Sequence, residues 1–116
     1  MQQVLQQHPQ ARLRVFAVWE PVRFVDWQRP STANLARLSD PRVSQFWDHD
    51  HLLANQIARD AAADQTQANC CEAKSILFDL AAVYPASATW SDHLPHANVF
   101  DGPIVDIIPK VQAALP

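Results

Sequence analysis

Glycine is nearly absent from this sequence, which has one glycine, Gly102, and nine prolines in 116 residues. Glycine-rich loops cradle phosphate groups because a residue without Cβ lets the backbone approach the ligand closely. Each of three motifs needs more than one glycine, so the sequence excludes a P-loop, a dinucleotide-binding fingerprint and a G-x-S-x-G nucleophile motif. Turns are therefore expected at proline, asparagine and aspartate.

A basic patch and a long apolar run are missing as well. The formal net charge is -3, and the nine basic residues are scattered along the chain. We therefore expect no nucleic-acid partner and no membrane docking. No run approaches the roughly 18 apolar residues of a spanning helix, and the first residues lack a signal-peptide pattern, so we expect a cytoplasmic protein.

What the chain does contain is an alternation of helical and extended patterns. Its composition, 48% hydrophobic and 18% charged, is that of a globular protein, and its length fits a single domain over residues 1–116. The alternation predicts an α/β fold. Helices are predicted over residues 2–8, from Asp40-Pro41 through Trp47, over roughly 50–62, and around Ile108, Val111 and Leu115.

Three segments have strand patterns. Residues 12–19 become continuously apolar, which predicts a buried strand, and residues 76–84 predict a second one. Asp101-Gly102 lies between apolar runs in residues 98–105 and predicts a hairpin, with Pro103 on an edge strand. Residues 64–74 are polar and are predicted to form a loop.

The end of the chain resembles thioredoxin-like proteins. It has Leu94-Pro95, a short strand, Asp101-Gly102, another short strand and an amphipathic helix, and Pro95 matches the proline, usually cis, that precedes the hairpin in that family. More narrowly, several segments are similar to a group of little-studied bacterial thioredoxin-like proteins: Val18-Trp19-Glu20-Pro21, Leu38-Ser39-Asp40-Pro41-Arg42-Val43, Phe46-Trp47-Asp48, Cys70-Cys71 and Asp79-Leu80-Ala81-Ala82-Val83-Tyr84-Pro85.

The resemblance implies a thioredoxin-like fold truncated at the N-terminus. A mixed sheet of about four strands with flanking helices is expected, without the family's first strand and its redox C-x-x-C. The strand at 12–19 then needs another partner, and an unpaired strand edge favours association, so we expect a homodimer or higher oligomer. A further hypothesis is that the chain is a truncated form of a longer thiol–disulfide oxidoreductase.

Cys70 and Cys71 are the candidate thiol site. Adjacent thiols can form a strained disulfide or bind a soft metal together as thiolates. The simpler interpretation is two reduced cysteines in a loop.

Four histidines are weak candidates for metal ligands, namely His49, His51, His93 and His96. None of their spacings matches a zinc pattern, and solvated imidazoles beside capping aspartates are the simpler interpretation. We therefore expect neither a metal nor a cofactor.

The candidate binding residues are Trp19, Glu20, Trp47 and Asp48. Glu20 follows a predicted strand at its carboxyl end, where α/β proteins place ligand sites, and could act with Asp26 or Asp48. The chain has two further tryptophans, Trp27 and Trp90. All four are interpreted as packing residues, with ligand stacking as the alternative.

No catalytic arrangement is visible, so the leading hypothesis is a non-catalytic binding or interaction module with an unidentified protein partner. The alternative hypothesis is a thiol function of Cys70 and Cys71, either disulfide exchange or capture of a soft metal ion. Fold resemblance alone supplies neither function.

Overall fold

The computed structural model describes residues 1–23, 25, 27–63, 71–73 and 76–116, without the side chains of residues 72–73. The described part is mixed α/β, which confirms that level of the prediction. Its helices are α1 (Gln2–Gln7), α2 (Thr32–Leu35), α3 (Leu52–Ala63) and α4 (Ile104–Ala114). Its strands are β1 (Val15–Trp19), β2 (Val43–Trp47), β3 (Glu72–Ala73), β4 (Ile76–Leu77), β5 (Ala81–Val83) and β6 (Val99–Asp101).

The strands form two-stranded sheets instead of one mixed sheet of about four strands. Within the described residues, β1 pairs with β2 in parallel, while β3–β4 and β5–β6 are antiparallel pairs. The predicted four-stranded sheet is therefore not found in these residues.

The chain divides into two compact units. The first unit contains Met1–Leu52 together with Pro116, and the second contains Leu53–Leu115. The prediction of a single domain over residues 1–116 stays a prediction.

Arg42 connects the end of α1 to the start of β2 in the first unit. Its Nη1 donates to the carbonyls of His8 at 2.7 Å and Ala11 at 3.2 Å, and its Nη2 donates to the carbonyl of Leu5 at 2.8 Å. The Asp40 carboxylate accepts from Nε at 2.8 Å and from Nη2 at 2.7 Å. Because these arginine side-chain bonds favour the charged form, with a further bond from the Arg42 backbone N–H, they lower the pKa of Asp40 to about 2.

The predicted helix from Asp40-Pro41 to Trp47 is wrong, because residues 43–47 form β2. Asp40 accepts from the backbone N–H and side chain of Arg42 instead of capping a helix. The spacing of Val43, Phe46 and Trp47 fits a helix, but exposure alternates along the segment and its register partners lie in β1. Tertiary pairing thus overrides an ambiguous local pattern.

The second unit has a packed core in which α4 contacts β5 and β6. Its buried hydrophobic cluster is Ala61, Leu77, Ala97 and Phe100. Tyr84 packs against this cluster, and burial raises its pKa to about 12. The helix predicted over 50–62 is confirmed as α3 and supplies Ala61.

The predicted hairpin at residues 98–105 is also wrong. β6 ends at Asp101 and pairs with β5, and α4 begins at Ile104 instead of a second hairpin strand. Pro103 occupies the N-cap position of α4, and Pro109 lies inside the helix. Within the described residues, the cis peptide bond is Gly102–Pro103, so the cis proline is not Pro95.

The predicted strand over residues 76–84 is divided into β4 and β5. Asp79 has a φ of 51°, a left-handed conformation that a continuous strand does not accommodate. Of the predicted loop at 64–74, Glu72–Ala73 forms β3, whereas residues 64–70 and 74 lie outside the described residues. In the described part of the chain, no helix is both long and apolar enough to cross a membrane.

Candidate functional site

The carboxyl ends of β1 and β2 lie side by side. Parallel pairing aligns Val15 with Val43 at one end and Trp19 with Trp47 at the other. The backbone N–H of Asp48 donates to the carbonyl of Trp19 at 2.8 Å, which extends the pairing past the last register pair. The structure therefore brings together all four predicted binding residues at this edge, where α/β proteins place ligand sites.

Trp19 serves as a packing residue in this arrangement. Its indole Nε1 donates to Oε1 of Gln45 at 2.9 Å. Gln45 Nε2 in turn donates to the carbonyls of Leu35 and Leu38, both at 3.0 Å. A half-buried indole with its N–H satisfied in this way fits the structural interpretation of Trp19.

Glu20 forms a pair with His51 that the sequence did not predict. Oε2 of Glu20 lies 3.0 Å from Nδ1 of His51, and the two side chains are 12% and 18% exposed. Burial raises the pKa of Glu20, the hydrogen bond and positive charge of His51 oppose that rise, and the charge of Asp48 adds to it. Because the carboxylate holds Nδ1, the ring orientation is fixed and Nε2 is its remaining polar atom.

The backbone also distinguishes His51. Its φ is 55°, in the left-handed region that costs a residue with a Cβ about 1 kcal/mol or more. Asp48 Oδ1 accepts from the backbone N–H of Leu52 at 2.8 Å, so Asp48 caps the following turn. The sequence alone could not predict the Glu20–His51 pair, because the two residues are 31 positions apart.

His49 lies close to two indole rings. Its ring centroid is 5.7 Å from that of Trp27 and 6.1 Å from that of Trp47. Its Nδ1 is 2.7 Å from Oδ1 of Asp50, whose side chain is 74% exposed. The predicted partner Asp26 lies outside the described residues.

The remaining predicted site residues do not lie at the carboxyl ends of β1 and β2. His93 and His96 are exposed and belong to the second unit, where Pro95 is half-buried. The described residues contain no group of three or more His, Cys, Asp or Glu side chains suited to a metal ion. Cys70 lies outside the described residues, whereas Cys71 is half-buried with a φ of 64°, and its carbonyl accepts from Phe78 N–H.

One face of the β1–β2 sheet is apolar and exposed, which contradicts the prediction of a buried strand at residues 12–19. Phe16 is 65% exposed, Phe46 52% and Val18 38%, and the two phenylalanine rings are 6.2 Å apart. Residues on the opposite side of both strands are half-buried. We call Phe16, Val18 and Phe46 the apolar face. A run of apolar residues gave no sign that only one side of the strand would be covered.

Comparisons with known proteins gave no match: no protein-family model, no curated protein and no solved structure matches this chain. The resemblance to thioredoxin-like proteins therefore depends only on the residue segments that suggested it.

Proposed function

We propose that this protein is a non-catalytic binding module of the thioredoxin-like class that recognises its partner through the apolar face. The observation that carries the proposal is the exposure of Phe16, Val18 and Phe46 on one side of a paired sheet. Single exposed hydrophobic residues are common, but two aromatic rings and a valine on one sheet face form a contiguous patch, as binding surfaces do.

The energetics favour a partner on this face. Burying one phenylalanine or valine side chain completely is worth about 1.5–3 kcal/mol. The apolar face forgoes about half of that gain in the isolated chain, because its side chains remain 38–65% exposed. A partner that covers them recovers it, and the edges of a two-stranded sheet offer backbone groups for further contacts.

The residues at the carboxyl ends of β1 and β2, Glu20, Asp48 and His51, fit a binding role better than a catalytic one. Within the described residues, His51 contacts the Glu20 carboxylate and no hydroxyl or thiol that it could activate. The neighbouring His49, Trp27 and Trp47 form an aromatic group beside these residues. Histidine and tryptophan at the end of the sheet supply polar and aromatic contacts at the edge of the recognition surface.

The thioredoxin-like part of the proposal is supported by the quoted segments and by the α/β composition of the chain. Of the ending described for that class, the short strand β6 and the closing helix α4 are present, whereas the second strand is replaced by the start of α4. The 116 residues contain no C-x-x-C, since their two cysteines are adjacent. The alternative thiol function depends on Cys70, which lies outside the described residues, so it stays a prediction.

The proposal is tested by substituting Phe46→Ser and measuring the free energy of unfolding in urea at low protein concentration. A surface that is about half exposed in the isolated chain predicts a loss of about 1 kcal/mol, which is the part of the burial gain that Phe46 already has. The variant should also bind less of a hydrophobic dye than the unsubstituted protein. Val105→Ser is the matched control, because Val105 is 77% exposed on α4 in the second unit.

A loss of about 3 kcal/mol in the Phe46→Ser variant would refute the proposal. Such a loss would mean that the phenylalanine packs within its own chain and is not available to a partner.

A further inference from the structure

We propose that the outer edge of β1 pairs with the same edge of a second copy of this chain, in antiparallel register centred on Ala17. This inference goes beyond the proposed function, because it uses the backbone edge of β1 and leaves the apolar face open to a partner. The pairing joins two β1–β2 sheets into one sheet of four strands. Three features of β1 carry it: the direction of its backbone groups, its self-complementary register and the charges beside its ends.

The backbone groups of Phe16 and Val18 point away from β2. The N–H of Val15 and the carbonyl of Trp19 bond at 3.0 and 2.8 Å to the residues that flank β2, so these two residues point their backbone groups towards that strand. Backbone groups alternate in direction along an extended strand, which turns those of Phe16 and Val18 to the outer edge. Among the described residues, these outward groups have no hydrogen-bond partner. They are an open template for another strand.

The outer edge of β1 lacks the features by which proteins keep sheet edges from pairing. Natural edge strands carry charged residues, prolines or bulges that block a second strand. Val15–Trp19 contains neither a proline nor a charged residue. It pairs with β2 in unbroken register over all five residues, so no bulge bends this strand. The edge is therefore flat and apolar, which favours pairing with an identical edge.

One antiparallel register pairs the two outward residues with each other. In that register Phe16 lies opposite Val18 of the second copy, and the two Ala17 residues face each other at a two-fold axis perpendicular to the sheet. Each opposed Phe16–Val18 pair exchanges two backbone hydrogen bonds. Opposed residues lie on the same face of a sheet, so the apolar faces of the two copies become continuous.

The same register brings opposite charges together. Arg14 precedes Phe16 by two residues and Glu20 follows Val18 by two, so Arg14 lies opposite Glu20 of the second copy. Arg14 is exposed and, within the described part of the chain, has no hydrogen-bond or ion-pair partner. Glu20 uses Oε2 for His51, and its other oxygen can accept from a guanidinium. A register shifted by two residues would instead place Arg14 opposite Val18 or Phe16 opposite Glu20.

The length of the edge indicates a weak dimer. A pair of five-residue strands buries a small area beside the roughly 1,200–2,000 Å² that stable interfaces bury in total. We therefore expect the dimer to dissociate on dilution, so a covalent trap at the two-fold axis is the sharpest way to detect it.

The test is a disulfide trap, Ala17→Cys, in the full-length chain with Cys70→Ser and Cys71→Ser. Opposed residues of a non-hydrogen-bonded pair have Cα atoms about 4.5 Å apart, within the roughly 4.4–6.8 Å that a disulfide spans. We expect mild oxidation to convert most of this variant to a covalent dimer on non-reducing electrophoresis.

Phe16→Cys in the same background is the matched control. In the proposed register the two copies of Phe16 are diagonal neighbours, roughly 7–8 Å apart and beyond the span of a disulfide. This variant should therefore be trapped much less than Ala17→Cys, although Phe16 is the more exposed residue. Val105→Cys, exposed in the second unit, measures trapping by random collision. Equal trapping at all three positions, or more at Phe16 than at Ala17, would overturn the proposed pairing.

Sedimentation across a concentration series tests the charges without a cysteine. Arg14→Glu places like charges opposite each other twice, and we expect the dimer dissociation constant to rise about tenfold. Arg23→Glu is the control, because Arg23 is also exposed and lies outside the paired segment. Equal effects of the two substitutions, or an unsubstituted protein that is monomeric at every concentration, would overturn the pairing. Phe46→Ser should leave trapping of Ala17→Cys unchanged, so failure of this pairing and failure of the proposed function are separate results.

Discussion

The second unit covers its β5–β6 sheet with α4, whereas the first unit leaves one face of its β1–β2 sheet exposed. Of the nine large hydrophobic residues exposed in the described part of the chain, seven belong to the first unit: Phe16, Val18, Val22, Val25, Trp27, Phe46 and Leu52. Of the nine buried hydrophobic residues there, seven belong to the second: Ala54, Ala61, Leu77, Ala97, Phe100, Ile107 and Val111. A sheet is more stable when another layer covers its apolar face, and in the first unit that layer is missing from one side of the β1–β2 sheet among the described residues.

The first unit compensates in part with polar contacts. Arg42 makes hydrogen bonds to three backbone carbonyls and to Asp40, and Gln45 joins Trp19 to the segment after α2. The second unit instead depends on a cluster of apolar side chains. Substitutions should therefore act on the two units through different interactions and to different extents.

The largest effect is expected for Phe100→Ala in the second unit. Phe100 is 6% exposed, so the substitution removes a buried ring and leaves a cavity, with an expected loss of about 3–5 kcal/mol in unfolding free energy. Urea unfolding measures it beside Phe46→Ser. If Phe100→Ala does not fold, Phe100→Leu should still show a measurable loss. Equal effects at Phe100 and Phe46 would contradict the contrast between the two units.

A smaller but clear effect is expected for Arg42→Met in the first unit. The substitution leaves the carbonyls of Leu5, His8 and Ala11 without the guanidinium, and the melting temperature should fall by about 10 °C. Arg42→Lys should restore little of it, because an ammonium cannot reproduce the planar fork. Arg37→Met is the control at an exposed arginine. A full rescue by lysine would show that charge alone explains the stabilisation.

The smallest effect is a pH dependence at Asp40. Its pKa is lowered from 3.8 to about 2, so its contribution to stability is complete above the unfolded pKa and is lost as pH falls towards 2. The difference in unfolding free energy between the unsubstituted protein and Asp40→Asn should therefore shrink between about pH 5 and about pH 2. Asp92→Asn, at an exposed aspartate, should show no such convergence. A constant difference for Asp40→Asn would mean that its ion pair with Arg42 does not form in solution.

Local patterns predicted the helices near residues 2–8 and 50–62 and the presence of a strand within residues 12–19. They failed for residues 43–47, because the spacing of Val43, Phe46 and Trp47 fits a helix face, whereas the segment is a strand with Phe46 on the opposite side from Val43 and Trp47. They failed again after Asp101-Gly102, where Ile104 and Val105 begin α4 instead of a second strand. In both places the decision came from which neighbour the backbone could pair with or pack against.

The candidate site likewise combines residues that the sequence could locate with contacts that only the structure shows. Placing Trp19 and Glu20 at a strand end needed only the general rule that α/β proteins bind ligands there. Trp47 and Asp48 were predicted at the end of a helix, and they lie at a strand end because residues 43–47 form β2. The bond between Glu20 and His51 and the position of His49 beside Trp27 depend on how distant segments meet. No spacing within the chain carries that information.

The sequence by itself determined the α/β class, the exclusion of glycine-dependent phosphate sites, and which residues are apolar or charged. Composition and local periodicity are properties of neighbouring residues, so they can be read without knowing the fold. Only the tertiary structure decided that Phe16, Val18 and Phe46 share an exposed face and that Glu20 meets His51 at the carboxyl end of the sheet. Exposure depends on which layer covers a strand, and that layer is set by segments far apart in the chain.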